Sequence, residues 1–323
     1  MFHTILVPLD GSARAEAALP HAERLARAFD GTVRLIRVIP MRQRSGAVPM
    51  DIVDRLGEAE AHAYIEARLA DLVARGVTAQ GEVTGGAPAE RVISAAQDCR
   101  ANLIVLATHG SGGCTEFPLG GTAQKVIARA GTSVLIVPEG HMVAAGGGAI
   151  YRRVLVGVDG SRQGEQALAV AGELGRAEEA ELELGYVLRV PEVVGPLPIS
   201  AEHQALRTQL TVLDRATVQT YLEDAARRLG DSGRTVRTRI ETAEDVAPAL
   251  VRMAESEGAD LIVLAARGAS PDSGWADGAV ATQMLVELRR PVLMLRGNRP
   301  ERGTTRRSPG RYQSTASSGR FKV

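Results

Sequence analysis

The chain contains itself twice, and that repeat limits its fold more than any other feature. "ILVPLDGS" at 5–12 returns as "VLVGVDGS" at 154–161, with five of eight residues identical and an offset of 149. "ANLIVLATHG" at 101–110 returns as "ADLIVLAARG" at 259–268, with seven of ten identical and an offset of 158. "SVLIVPEG" at 133–140 is answered by "PVLMLRGN" at 291–298, again 158 apart. The parts keep their order, and the second copy carries nine additional residues in its middle. Such a unit is a domain rather than a solenoid repeat of roughly 20–50 residues. A chain of 323 residues accommodates two domains of about 150.

Within each copy, short β-branched runs alternate with helical patterns. Copy one predicts strands near 4–9, 32–38, 78–84, 102–107 and 133–137, and helices near 13–29, 51–75, 87–99 and 121–130. Copy two predicts strands near 152–158, 181–188, 234–240, 260–265 and 291–295. "TILVPL" and "LIVLA" are unbroken apolar runs, as expected when helices cover both faces of a parallel sheet. Strict β-α alternation therefore predicts an α/β chain of two tandem doubly wound domains with right-handed crossovers. In copy two, a helix over about 202–229 carries Leu206, Leu210, Leu213, Tyr221, Leu222, Ala225 and Leu229 at three- and four-residue spacing, which assigns them to the core.

The boundaries fall at 1–140 and 152–297, with a glycine-bearing linker at 141–151 and a tail at 298–323. That tail is poor in apolar residues and has the composition of a disordered segment. It holds seven basic residues (Arg299, Arg302, Arg306, Arg307, Arg311, Arg320, Lys322) against Glu301, a balance of +6. Because the whole chain is neutral, residues 1–297 carry −6, which argues against a nucleic-acid-binding body. Contact with nucleic acid, a membrane surface or a kinase is expected at most through the tail, which also reads as a solvated appendage. No stretch approaches the roughly 18 apolar residues of a membrane span. The opening shows no secretory pattern, and Cys99 and Cys114 form neither a disulfide framework nor a metal cluster. These features predict a cytoplasmic protein with no metal site built from protein ligands alone.

In doubly wound sheets, ligands bind beyond the carboxyl ends of the strands, where the strand order reverses. The first strands end at Asp10 and Asp159, and the fourth at "ATHG" and "AARG". After Gly110, nine residues lead to Gly120, Gly121 and Thr122 at a helix start. Glycine admits close backbone approach and a helix start favours anions, so the segment suits a phosphate chain. Glycines that merely turn the chain remain the alternative. There is no G-x-x-x-x-G-K-[ST], Lys125 and Lys322 being the only lysines, and neither G-x-G-x-x-G after strand one nor G-x-S-x-G.

"ILVPLDGS" together with "ATHGSGGCTEFPLGGTAQKVIARAGTSVLIVPEG" resembles the universal stress protein family in its tandem form, over about 1–140 and 152–297. The resemblance implies a five-stranded parallel sheet of order 3-2-1-4-5 in each domain. It also implies ATP or a related adenine nucleotide, with or without Mg2+, held by a strand-one aspartate and a G-x-x-G-x9-G-[ST] motif. In copy one the motif falls on Ala107, Gly110, Gly120 and Gly121, so alanine replaces the first glycine and Thr122 arrives one step late. Asp10 after Pro8 would meet ribose, Val38 would offer its backbone to adenine, and His109 would lie near the phosphates. Copy two offers Asp159, Val187, Ala265, Arg267, Gly268, Gly278 and Ala279, without the closing Ser or Thr and with Asp272 and Asp277 in between. Binding is therefore expected mainly in copy one, and the two fifth strands are expected to pair as an intramolecular pseudo-dimer, with a homodimer also open. Three functions compete: a regulatory nucleotide-binding module, a slow ATP hydrolase, and a scaffold with degenerate motifs. Against hydrolysis, no general base is evident beyond His109, and no lysine or arginine clamp is expected to face the copy-one loop.

Overall fold

The computed structural model describes residues 1–40, 50–111, 119–139, 151–189, 201–230, 235–266 and 290–296, and single residues 280, 283, 284 and 287. Copy one runs β1 (Thr4–Leu9), α1 (Ala13–Glu16), α2 (Ala18–Phe29), β2 (Thr32–Ile39), α3 (Met50–Ala74), β3 (Ala79–Gly85), α4 (Pro88–Asp98), β4 (Leu103–Ala107), α5 (Gly121–Arg129) and β5 (Ser133–Val137). Copy two runs β6 (Arg153–Val158), α6 (Arg162–Glu178), β7 (Glu181–Arg189), α7 (Ala201–Gly230), β8 (Val236–Ala243), α8 (Val246–Glu257), β9 (Leu261–Ala265) and β10 (Val292–Leu295). All ten strands form one sheet of order β3-β2-β1-β4-β5-β10-β9-β6-β7-β8. Each half thus has the order 3-2-1-4-5 with parallel neighbours. The halves meet where β5 and β10 pair antiparallel, with Leu293 opposite Leu135.

Alternation along the strands sorts the core into two layers. Ile5, Val7, Leu9, Leu103, Val105 and Leu135 face α2, α3, α6 and α7, in a cluster that continues through Leu293 into copy two. Leu6, Ile36, Ile104, Leu106 and Ile136 face α4, α5 and α8 in a second cluster that also crosses the joint. On the first face α2 packs on α6, where buried Tyr151 sets its hydroxyl 2.6 Å from Nδ1 of buried His21. Arg24 and Glu178 make an ion pair beside them at 3.1 Å. Burial, reinforced by Glu178, holds the Tyr151 phenol well above its ordinary pKa, so it is a neutral hydroxyl. Tyr151, at the expected end of the linker, is therefore part of the core; the other linker residues and the tail lie outside the described residues.

Two expectations need correction. The helix expected over 13–29 breaks at Ala17 into α1 and α2. Pro20 has no N–H to give to the carbonyl of Glu16, so the helix is interrupted at that point. Leu213, assigned to the core, is 65% exposed, whereas Leu222 and Ala225 are buried and Tyr221 and Leu229 pack against them. Leu213 stands nine residues before Leu222, about half a turn around the helix, and so faces away from the core; the side chains of Leu206 and Leu210 lie outside those described.

Strand β7 also carries a misfit. Glu183 points toward α8, its Oε2 is buried without a hydrogen-bond partner, and burial together with Glu257 raises its pKa to about 7 against the nearby Arg239 and Arg237. A carboxyl raised on folding stabilises the native state least when ionised. Its contribution is complete below the unfolded value of 4.5 and is lost as pH rises through about 7. Glu183→Gln is therefore expected to raise the melting temperature at pH 8 and to change it little at pH 5. Equal shifts at both pH values would contradict that assignment.

Candidate functional site

At the carboxyl end of β1, Asp10 is held in a tight turn. Gly11 adopts φ +85°, a conformation costly for other residues, and Ser12 donates to Asp10 Oδ1 from its backbone N (2.9 Å) and its hydroxyl (2.6 Å). The Ser12 hydroxyl also accepts from Ala15 N and so caps α1. Asp10 Oδ2 accepts from Ser111 N at 2.6 Å, tying strand one to the glycine turn after β4. Burial pushes the Asp10 carboxyl up, but these hydrogen bonds outweigh it and hold the pKa below its ordinary value. Asp10 is thus a fixed anion at neutral pH.

The turn itself is tightly packed. A Cβ on Gly110 would lie 2.1 Å from Asp10 Oδ2, so this glycine makes room for a carboxylate of the chain itself. That reason is distinct from close approach to a ligand, and only the folded structure shows it. Buried Thr108 receives Glu139 N at its hydroxyl (3.1 Å), while its carbonyl accepts from Gly120 N (2.8 Å). Gly120 is also cramped, its absent Cβ lying 3.1 Å from the Thr108 carbonyl oxygen. It is the N-cap of α5 and offers no side chain to the free N–H groups of that helix start. Gly121 borders open space, so a side chain there would meet nothing within 4 Å. His109 is 8% exposed, with Nδ1 3.1 Å from the Thr108 hydroxyl and 3.6 Å from Glu139.

These residues line one cavity of about 760 Å³, within the size range of small-ligand sites. All nine copy-one residues singled out from the sequence border it: Pro8, Asp10, Val38, Ala107, His109, Gly110, Gly120, Gly121 and Thr122. Ile36, Leu106 and Val92 supply an apolar wall, and Leu56, Gly57 and Glu60 of α3 close the far side. Arg37 and Lys125 line it as well, two cations that the motif does not include. Arg37 adjoins Val38 on β2, and Lys125 sits one helical turn beyond Gly121. Arg37 is stacked on Tyr64, its guanidinium carbon 4.9 Å from the ring centroid.

Copy two repeats the frame. Asp159 accepts from Ser161 N at 3.0 Å at the end of β6, Val187 lies on β7 and Ala265 ends β9. Arg267, Gly268, Gly278 and Ala279 lie outside the described residues, as do Asp272 and Asp277. Where copy one has Pro8 and Ile36, copy two has Gly157 and Gly185, filled from the side by Leu264, Leu250 and Met253. Among the described residues no cluster of three or more metal-binding side chains occurs, and no helix is long and apolar enough to cross a membrane.

A doubly wound pair of halves, with a ligand-sized cavity at the switch point of the first, defines the chain as a tandem α/β protein. Comparison with known proteins places it further. The profile of the universal stress protein family matches residues 1–138 and again 150–296, and the chain belongs to that family as a tandem, two-domain member. A universal stress protein of Mycolicibacterium smegmatis is 26% identical over 299 residues, covering 90% of this chain and 96% of the relative. One from Thermus aquaticus is 32% identical over 150 residues, 42% of this chain and 99% of the relative. Among solved structures, a universal stress protein from Archaeoglobus fulgidus superposes with a TM-score of 0.64 at 19% identity, covering 91% of this chain and 97% of that one.

Proposed function

We propose that the copy-one cavity binds ATP or a related adenine nucleotide, and that the chain acts as a cytoplasmic regulatory module of the stress response rather than through turnover. The observation that carries this reading is the convergence on one cavity of Asp10, the Gly110 turn and the uncapped start of α5. Three chemistries lie in sequence across it: an apolar wall for a base, a carboxylate with acceptor capacity left for a sugar hydroxyl, and backbone donors for phosphate. Mg2+ would be carried in with the phosphates, because the described residues offer no metal cluster of their own. One solved universal stress protein is in complex with cAMP, at 22% identity and a TM-score of 0.34; that distance gives no guidance on ligand, so cAMP is simply one of the probes.

Thermal unfolding of the full chain tests the reading. A nucleotide at about 100 times its dissociation constant stabilises by about 2.7 kcal/mol, which shifts the melting temperature by several degrees. ATP with Mg2+, ADP, AMP, adenosine and cAMP are compared side by side. A shift with at least one supports binding; no shift with any of them rejects it in favour of a scaffold.

A further inference from the structure

We infer that Lys125 selects phosphorylated ligands in the copy-one cavity, contacting the anionic group directly, and that copy two has lost this selectivity by replacing it. The inference rests on the nucleotide reading above and deepens it. Gly121 and Lys125 are four residues apart on α5, and Thr122 and Lys125 three, so the three share the helix face that borders the cavity. Lys125 is exposed and has no hydrogen-bond or ion-pair partner among the described residues. Its flexible stem lets the ammonium reach an anion held at the uncapped N–H groups one turn earlier.

The other charges at the cavity are accounted for. Asp10 is bound by Ser12 and Ser111, and Arg37 lies over Tyr64. Glu60 stands with Leu56 and Gly57 on α3, the opposite wall. His109 packs against Thr108 and Glu139. Lys125 is therefore the cation not stacked on a neighbouring ring that borders the same helix start.

The duplication supplies an internal comparison. At an offset of 158, Lys125 corresponds to Gln283, which donates to Glu287 at 3.2 Å. At an offset of 149, Arg37 corresponds to Tyr186, whose phenol is pushed up by burial and by the acids Asp159 and Asp214. Both cations of the copy-one cavity are thus absent from the equivalent places, and acids stand near one of them. Among the described residues, copy two therefore offers a polyphosphate neither of these two charges; Arg267 lies outside them.

Because the chain has two lysines, Lys125 and Lys322, amine acylation gives a direct readout. Full-length protein is acetylated with and without saturating ATP and Mg2+, and each lysine is quantified by mass spectrometry. ATP is expected to protect Lys125 severalfold and to leave Lys322 unchanged. In parallel, Lys125→Gln is expected to weaken ATP about tenfold, the scale of a lost hydrogen bond to a charged group, and to leave adenosine affinity unchanged. Lys125→Arg should recover most of the loss. If ATP binds but Lys125 stays unprotected and Lys125→Gln binds normally, the inference falls while the nucleotide reading stands. If no adenine ligand binds the wild-type protein, both fall.

Discussion

Gly110→Ala is expected to loosen the site more than any other one-carbon change in copy one. The new Cβ would stand 2.1 Å from Asp10 Oδ2 and 3.0 Å from its Cγ. The carboxylate cannot yield freely, because turning it releases Ser111 N from one oxygen and both Ser12 donors from the other. Overpacking of this kind costs about 1–3 kcal/mol, and the strained link borders the cavity. Calorimetry should show a melting temperature lowered by several degrees, with nucleotide stabilisation lost. Gly121→Ala is the control, since nothing lies within 4 Å of that position, and should be near neutral in stability. In the Asp10→Ala background, Gly110→Ala should cost much less, because the clashing oxygens are gone. A Gly110→Ala protein as stable as wild type would mean that Asp10 and the turn are not in contact.

The joint between the halves should be equally unforgiving. Leu293 and Leu135 face each other across the antiparallel pair, both fully buried, in a cluster that reaches α2 of one half and α6 of the other. Leu293→Asp places an unpaired carboxylate there, and the expected loss is above about 4 kcal/mol. Because strand pairing and both core layers continue through the joint, the halves should fail together in one transition. Leu213→Asp, at a position 65% exposed, is the matched control and should change little. A Leu293→Asp protein with one half still melting at the wild-type temperature would show that the halves are independent.

What the sequence made legible follows from periodicity and duplication. Unbroken apolar runs such as "LIVLA" marked β4 and β9 as buried on both faces, and the recurrence of "DGS" placed equivalent acids at the ends of β1 and β6. The pairing of the two fifth strands is implied by the family resemblance, and it also covers two edges that would otherwise be free. Features that depend on three-dimensional neighbours were not legible. Nothing in "ATHG" says that Gly110 yields space to Asp10, a hundred residues earlier. Arg37 is not legible as a cavity residue, because a strand's alternate residue becomes a cavity wall only after α3 closes over it. Lys125 carries a usable signal, its place one turn beyond Gly121, which its part in excluding a P-loop does not exhaust. Leu213 shows the opposite case: it is three residues from Leu210 but half a turn around the helix from Leu222, so local spacing alone does not place it on the buried face.

The same contrast bears on the duplicated glycine turns. Copy one retains a lysine on the cavity face of its helix and copy two a glutamine, so a shared backbone frame carries different electrostatics. The central claim is that the chain holds one nucleotide, in copy one. Isothermal titration calorimetry of the full chain with ATP and Mg2+ tests it most directly. The account predicts one site per chain, abolished in Gly120→Val, where a side chain would press on the Thr108 carbonyl. Two sites, none, or a single site that survives Gly120→Val would contradict it.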